Sequence, residues 1–361
     1  PRACSAARSC AAGDSSTVMR LDCPTPGGRD LLRNGQGGYK YAQVMGGDSA
    51  HFRIEEVAPG AWAALAGDTG ACVSNAGIID LGDQTLVFDT FMTPAAGSDL
   101  RAAAERLTGR SATLVVNSHH HGDHVRGNQA FAGTAILSTA RTAELITTTV
   151  PEDLDAYRDT VAEWITALDR KLADQDSSIA PAEYQDLELT RAMAESIITS
   201  LPELNITRPT EVLTDELVIE GSARSARIIT LGGGHTDSDT FVFLPDASVL
   251  FAGDLLWVEN HPWAGDGYPD EWVNIIYRMK ALSPDVVVPG HGTVANFEYA
   301  RIFTRYLTFL CDMIKQAEAT STPLVKLAET PIPPQYAGWG SVSRYRSSLE
   351  ALGARAGLPA D

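Results

Sequence analysis

Long apolar runs are missing from this chain of 361 residues. None approaches the roughly 20 residues that a membrane-spanning helix needs, so no helical membrane anchor is expected. Basic residues are also few: 28 Lys and Arg face 46 Asp and Glu, for a formal net charge of −18. Clustered Lys and Arg dominate the binding of phosphate backbones and anionic lipid surfaces, so neither nucleic acid nor membrane is expected as a partner. Cysteine is scarce, with five in all. Cys4, Cys10 and Cys23 fall in a loose amino-terminal segment, while Cys72 and Cys311 sit among apolar neighbours. An odd count spread this way is no disulfide framework, and a reducing, cytoplasmic compartment is the expectation. No Gly-x-Ser-x-Gly elbow occurs, so no serine nucleophile of that type competes for the chemistry. What remains, 44% hydrophobic and 20% charged residues, is the composition of an ordinary globular protein with a proper core.

Histidine, by contrast, is concentrated. Four of the chain's eight histidines fall within six positions of the stretch Asn117-Ser-His-His-His-Gly-Asp-His124. It holds the pattern His-x-His-x-Asp-His, supplied by His119, His121, Asp123 and His124. Four ligating side chains so close together are too crowded for one face of a helix or strand; they fit a tight loop wrapped round a cation. Ser111 to Val116 before it is an apolar, β-branched run that predicts a buried strand. The carboxyl end of a strand is where open α/β layers place their chemistry.

Residues 1 to 50 have little periodicity and read as a loop-rich lead-in, with Met19 a candidate start and the residues before it a processing remnant. A catalytic domain is expected over residues 51 to 320, with a helical insertion at about 139 to 205, and a tail from 321 to 361 packing on it. From Phe52 onward short β-type runs appear: Phe52 to Val57, Ala61 to Leu65, Ala71 to Leu81 and Thr85 to Asp89. Thr93-Pro94 opens a helix to about Leu107. In the insertion, Leu154, Tyr157, Val161, Trp164, Leu168 and Leu172 recur at spacings of three and four, a long amphipathic helix. Leu187 to Leu201 suggests a second helix, the pair forming a hairpin that packs on the core, or else a lid or dimer surface. Later runs include Arg227 to Leu231, Val249 to Phe251 and Asp285 to Pro289, with helices over Tyr268 to Leu282 and Ala295 to Ala317.

One arrangement recurs: a strand, then glycine, then a ligand. It appears around His119 to His124, at Gly234-His235, at Gly253-Asp254 and at Gly290-His291. Glycine lets the backbone turn sharply at the sheet edge so that the next side chain points at a shared centre. One such histidine alone would be an ordinary structural residue. Four junctions of the same type supply five histidines and two aspartates, enough to hold two divalent metals.

In these motifs, over about residues 52 to 317, the sequence resembles the metallo-β-lactamase-fold hydrolase superfamily, in its glyoxalase II-like and lactonase-like dinuclear branch. The resemblance implies an α/β fold, a four-layer αββα sandwich with the helical insertion added. It also implies a first metal site of His119, His121 and His235, a second of Asp123, His124 and His291, and Asp254 bridging the two. Asp89, at the end of its strand, matches an acid that orients a ligand. Imidazole and carboxylate ligands without thiolate suit two Zn(II) per chain, or Fe(II) or Mn(II). The β-lactamases of this superfamily carry Cys or Ser at the bridging position, so Asp254 argues against an antibiotic hydrolase. His121 in place of Glu argues against the flavodiiron branch.

The expected activity is hydrolysis of a small ester, thioester or lactone by a metal-bridging hydroxide, with Asp123 also serving catalysis by orienting the hydroxide and passing on its proton. Paired metals lower the pKa of a shared water from ~15.7 towards ~7 and polarise the scissile oxygen. Two alternatives stay open: an iron oxidoreductase resembling persulfide dioxygenases, and a phosphodiesterase, which the charge disfavours. Trp257, His261, Trp263 and Tyr268 follow a ligand directly and are candidates to line an apolar substrate pocket. His120, between two ligands, is expected to point away from the metals. The expected partner is a small molecule, and self-association is left open.

Overall fold

The computed structural model describes residues 48–67, 70–148, 153–174 and 181–360. All belong to one compact unit, residues 41–361. Up to residue 47 the expected lead-in, with Met19, Cys4, Cys10 and Cys23, lies outside the described residues. Cys72 and Cys311 are buried free thiols.

The first half builds one sheet. Strands β1 (Phe52–Ala58), β2 (Ala61–Ala66), β3 (Ala76–Asp80) and β4 (Thr85–Phe88) form an antiparallel meander. Helix α1 (Pro94–Thr108) follows; Thr93 caps it through a 3.2 Å bond from Ala96 N–H, and Gly109 ends it at φ 72°. Strand β5 (Leu114–Val116), the one-turn helix α2 (Gly122–Val125) and strand β6 (Ala135–Thr139) come next, then helices α3 (Ala140–Ile146), α4 (Leu154–Ala173) and α5 (Pro181–Ser200), and strand β7 (Glu211–Leu213). The strands join in the order β1-β2-β3-β4-β5-β6-β7, parallel from β4 onward.

The second half builds the other sheet: β8 (Glu216–Glu220), β9 (Ser225–Thr230), β10 (Thr240–Leu244), β11 (Val249–Trp257), helix α6 (Pro269–Lys280), β12 (Val286–His291) and β13 (Ala295–Asn296). Their order is β13-β12-β11-β10-β9-β8, with β11 and β12 parallel. Helices α7 (Ala300–Thr320), α8 (Leu324–Ala328) and α9 (Val342–Arg355) complete the chain.

The alternation of side chains along a strand assigns the layers. In β2, Ala61, Ala63 and Leu65 face the other sheet, while Trp62 and Ala64 join the core under α1. In β10, Val242 and Leu244 enter the core between the sheets, and Phe241 and Phe243 the core beneath α6, α7 and α9. The result is helix, sheet, sheet, helix: the αββα sandwich that was expected. Among the described residues no helix is long and apolar enough to cross a membrane.

Several local expectations need correction. The run Ala71 to Leu81 is extended only from Ala76, because Ser74 and Asn75 spend their hydrogen bonds outside the ladder. The α-helix expected from Ala295 starts only at Ala300: Ala295 and Asn296 pair with β12, and Phe297–Tyr299 form a 3-10 turn capped by the Asn296 side chain, which accepts from Glu298 N–H. The strand expected to end before Asp254 runs on to Trp257, bulged at Gly253. Helix α4 matches the periodic stripe, yet Leu154 and Trp164 remain over one third exposed while Val161 and Leu168 are buried. It packs on α5, with Val161, Ala194 and Ile197 gathered against Met92.

Asn75 ties the sheets together at the end that carries the ligand loops. Its Nδ2 donates to the carbonyls of Pro289 and Gly292, both at 2.9 Å, and its Oδ1 accepts from Ala66 N–H at 3.1 Å. Removing a buried amide strands these groups without partners. Asn75→Ala should therefore cost about 2–4 kcal/mol in urea unfolding; an unchanged midpoint would show that the tie contributes nothing.

Candidate metal centre

The loops after β5 and β9 carry His119 to His124 and His235, while Asp254 stands at a bulge within β11 and His291 ends β12. Phe88 ends β4, and Asp89 takes φ 60°, a left-handed conformation uncommon for a residue with a side chain. That turn aims its carboxylate inward, where it accepts from Ser118 N–H and Ser118 Oγ, both at 2.7 Å, and meets His124 Nδ1 at 2.8 Å. Burial pushes the Asp89 carboxyl up, against the pull of His124 and Ser118. The loop after β5 is pinned at its start by a reciprocal amide pair, Asn117 with Asn128, at 3.0 and 2.9 Å. One turn of α2 then places Asp123 and His124 side by side.

The loop after β9 is folded round Asp239, whose carboxylate accepts from Gly234 N–H at 2.8 Å, Thr236 N–H at 3.1 Å and Thr236 Oγ1 at 2.8 Å. This presents His235. In β11 the bulge at Gly253 has φ 53°, and a Cβ there would stand 2.7 Å from Ser118 Cβ. Asp254 follows, directed at the histidines. Gly290 lies so near that a Cβ would collide with Asp254 Oδ1, which is why the residue before His291 has no side chain.

The seven side chains named from sequence converge. His119, His121, His235 and Asp254 offer ligand atoms within 4.8 Å of one another, and so do Asp123, His124 and His291. Asp254 straddles both groups. Its Oδ2 lies 3.1 Å from His235 Nε2, 3.3 Å from His291 Nε2 and 3.8 Å from His119 Nε2, and its Oδ1 lies 3.1 Å from His124 Nε2. On the second side Asp123 Oδ2 stands 3.4 Å from His291 Nε2 and 3.6 Å from His124 Nε2. His119 Nε2, His124 Nε2 and Asp254 Oδ1 are buried yet make no hydrogen bond. Orphaned atoms of this kind, aimed into one space, fit a cation better than they fit each other. The donors are imidazole and carboxylate, with no thiol among them, which suits a borderline or hard divalent ion.

Electrostatics agree. Burial, then the neighbouring His124, holds the His119 imidazole well below its ordinary range. Burial also lowers His235 in spite of Asp254. Burial would lower His124 as well, but Asp254, Asp123 and Asp89 outweigh it and carry that imidazole well above the usual value. Desolvation opposes ionisation of Asp123 and Asp254, yet the surrounding imidazoles keep both carboxyls below the usual range.

The expected substrate pocket is only partly where the sequence put it. A cleft of about 310 Å³ opens over the ligands, lined in part by Trp257 and Trp263. His261 does not reach it: its ring is fully buried against Tyr306, Trp339 and Tyr345, with Nδ1 2.9 Å from the Tyr306 hydroxyl, and burial lowers it to about 4. Tyr268 lies outside too; its hydroxyl donates to Asp237 at 2.7 Å and Arg355 covers its ring. His120 belongs to neither ligand group, and burial, then His121, lowers it to about 4. Two lining residues had gone unnoticed. Asp266 lies 3.1 Å from His121 Nε2 and accepts from Trp263 Nε1 at 2.7 Å; Arg344 comes from α9. Asp266 lies in the Trp-rich stretch that follows Asp254, whereas nothing local in the sequence marks Arg344.

The family model of the metallo-beta-lactamase superfamily matches residues 69–291. The chain belongs to that superfamily. A metallo-beta-lactamase type 2 from Bacteroides fragilis is 30% identical over 95 residues, 25% of this chain and 38% of that protein. Another from Bacillus sp. (strain 170) is 26% identical over 159 residues, 37% of this chain and 62% of that protein. The chain thus matches less than two thirds of the length of either relative. Among solved structures, the metallo-beta-lactamase from Pontibacter korlensis superposes with a TM-score of 0.50 at 16% identity, over 71% of this chain and 99% of that one. A metallo beta lactamase from Erythrobacter litoralis gives 0.51 at 15% identity, over 77% and 99%. At such identities the likeness is one of fold.

Asp89 is fully buried and holds His124 by Nδ1. Losing the partner that orients a ligand typically weakens metal binding about 10- to 100-fold. Asp89→Ala should show that loss in a chelator competition. Unchanged metal affinity would remove Asp89 from the site.

Proposed function

We propose that this chain is a hydrolase of a small ester, thioester or lactone that works with two divalent metals, zinc foremost, held by His119, His121 and His235 on one side and Asp123, His124 and His291 on the other, with Asp254 between them. The observation that carries this reading is the position of Asp254, with imidazoles of both groups within 3.8 Å of its carboxylate. Bound there, the metals supply hydroxide at neutral pH and polarise the scissile oxygen.

The chain's own residues do the rest. Asp89 and Asp266 fix the outward nitrogens of His124 and His121, so each ring presents its other nitrogen to the centre. Asp123 lines the cleft as an ionised carboxylate, placed to orient the attacking water and to carry a proton at Oδ2 toward the leaving group. Trp257 and Trp263 give the cleft apolar walls that exclude water from the acyl group. A carboxylate rather than a thiol at position 254 supports esters, thioesters and lactones over the β-lactams for which the relatives are named. The buried thiols of Cys72 and Cys311 support a reducing, cytoplasmic setting.

The test is metal analysis followed by a substrate panel of esters, thioesters, lactones, a β-lactam and a phosphodiester. We expect about two zinc per chain and turnover of at least one acyl substrate. Asp254→Ala should lower kcat/KM by at least about a hundredfold, the scale of a lost electrostatic stabiliser, with the circular dichroism spectrum retained. One iron per chain with oxygen consumption, or full activity in the variant, would refute the proposal.

A further inference from the structure

We propose that Arg344 selects the substrate, and that the substrate carries a carboxylate at the end remote from its scissile acyl group. The inference rests on the hydrolase reading above and adds the substrate's charge to it. Arg344 stands in the first turn of α9, far along the chain from every ligand loop, yet it lines the cleft beside His121, Asp123 and His291. Its guanidinium carbon lies 4.9 Å from the Trp257 ring centre. That indole in turn stacks on His291 at 3.7 Å and 16°. The cation is thus one indole away from a candidate metal ligand.

The other two arginines of α9 are committed to the fold. Arg346 pairs with Glu183 at 3.1 Å, and Arg355 donates to the carbonyls of Gly265 and Gly267 at 2.9 and 2.7 Å. Among the described residues no carboxylate pairs with Arg344. Asp266, the acid in the same cleft that lies outside both ligand groups, is taken by Trp263 Nε1 and His121 Nε2. The Arg344 fork is therefore left to a ligand. Stacking on an indole orients a guanidinium, and its planar fork matches a carboxylate with two parallel N–H donors. Asp266, which lines the same cleft, penalises a dianion such as a phosphate more than a monoanion. A volume of about 310 Å³ is at the small end of ligand sites. These features describe a short acyl compound whose carboxylate meets Arg344 while the acyl carbon reaches Asp254.

The zinc-loaded protein would be given monophenyl glutarate and its terminal carboxamide as substrates. Water adds across the acyl–oxygen bond, releasing phenol and the acid. Binding would be measured calorimetrically with inert ketones: 5-oxo-6-phenylhexanoate, its carboxamide, and the equivalent terminal phosphonate. We expect the carboxylate ketone to bind about 10- to 100-fold more tightly than the amide, the range of a charge-assisted pair, and more tightly than the phosphonate. In Arg344→Gln that preference over the amide should fall to within twofold, with the loss in KM rather than kcat. Arg344→Lys, which keeps the charge, should retain part of it even if the glutamine variant folds poorly. Equal binding of acid and amide by the unmodified protein, a preference that survives Arg344→Gln, or tighter binding of the phosphonate would each overturn the proposal. Failure to hydrolyse either ester while the binding preference holds would count against the hydrolase reading alone.

Discussion

Desolvation governs the centre of this molecule. His119, His124, His235 and Asp254 are each at most 3% exposed, and they are packed against one another rather than against water. Burying ionisable groups is costly unless each is paired and hydrogen-bonded. Here the pairing is incomplete, since nitrogens of His119 and His124 and an oxygen of Asp254 find no hydrogen bond. The raised imidazole of His124 and the depressed carboxyl of Asp254 are a partial answer, in which a proton offsets some of the negative charge. A cation in the same space would satisfy all of these groups at once, and the folding of such a site is coupled to its filling.

The sandwich exists to hold that cluster against its own cost. Both sheets direct the carboxyl ends of their parallel strands to one edge, and each loop there is fixed by a specific backbone device. Asp89 adopts a left-handed turn, Gly253 bulges β11 past Ser118, Gly290 makes room for Asp254, and Asn75 bonds one sheet to the loop of the other. Strained or crowded positions persist where the surrounding structure over-determines them, and they gather at functional sites. The wide apolar cores on either side supply that support.

Sequence conveyed the ligand loops well because their chemistry is local. Four ligating side chains in six residues, and glycine before each later ligand, are patterns that do not depend on tertiary contacts. The layers were expected from the family resemblance rather than from periodicity: β2 and β10 are apolar on both faces, and only the fold shows which residues meet which core. What escaped was everything decided across long separations. His261 and Tyr268 looked like pocket residues by proximity to Asp254, but the aromatic nest of Tyr306, Trp339 and Tyr345 draws one ring inward and Asp237 holds the other outside. Arg344 and Asp266 enter the cleft only because α9 and the loop after β11 close over it. No periodicity announces such a meeting.

The most direct measurement of the central claim is anomalous diffraction at the zinc edge from crystals of the zinc-loaded protein. Two peaks are expected, one among His119, His121 and His235 and one among Asp123, His124 and His291, with Asp254 reaching both. A single peak, or two peaks that leave Asp254 bound to neither metal, would contradict it.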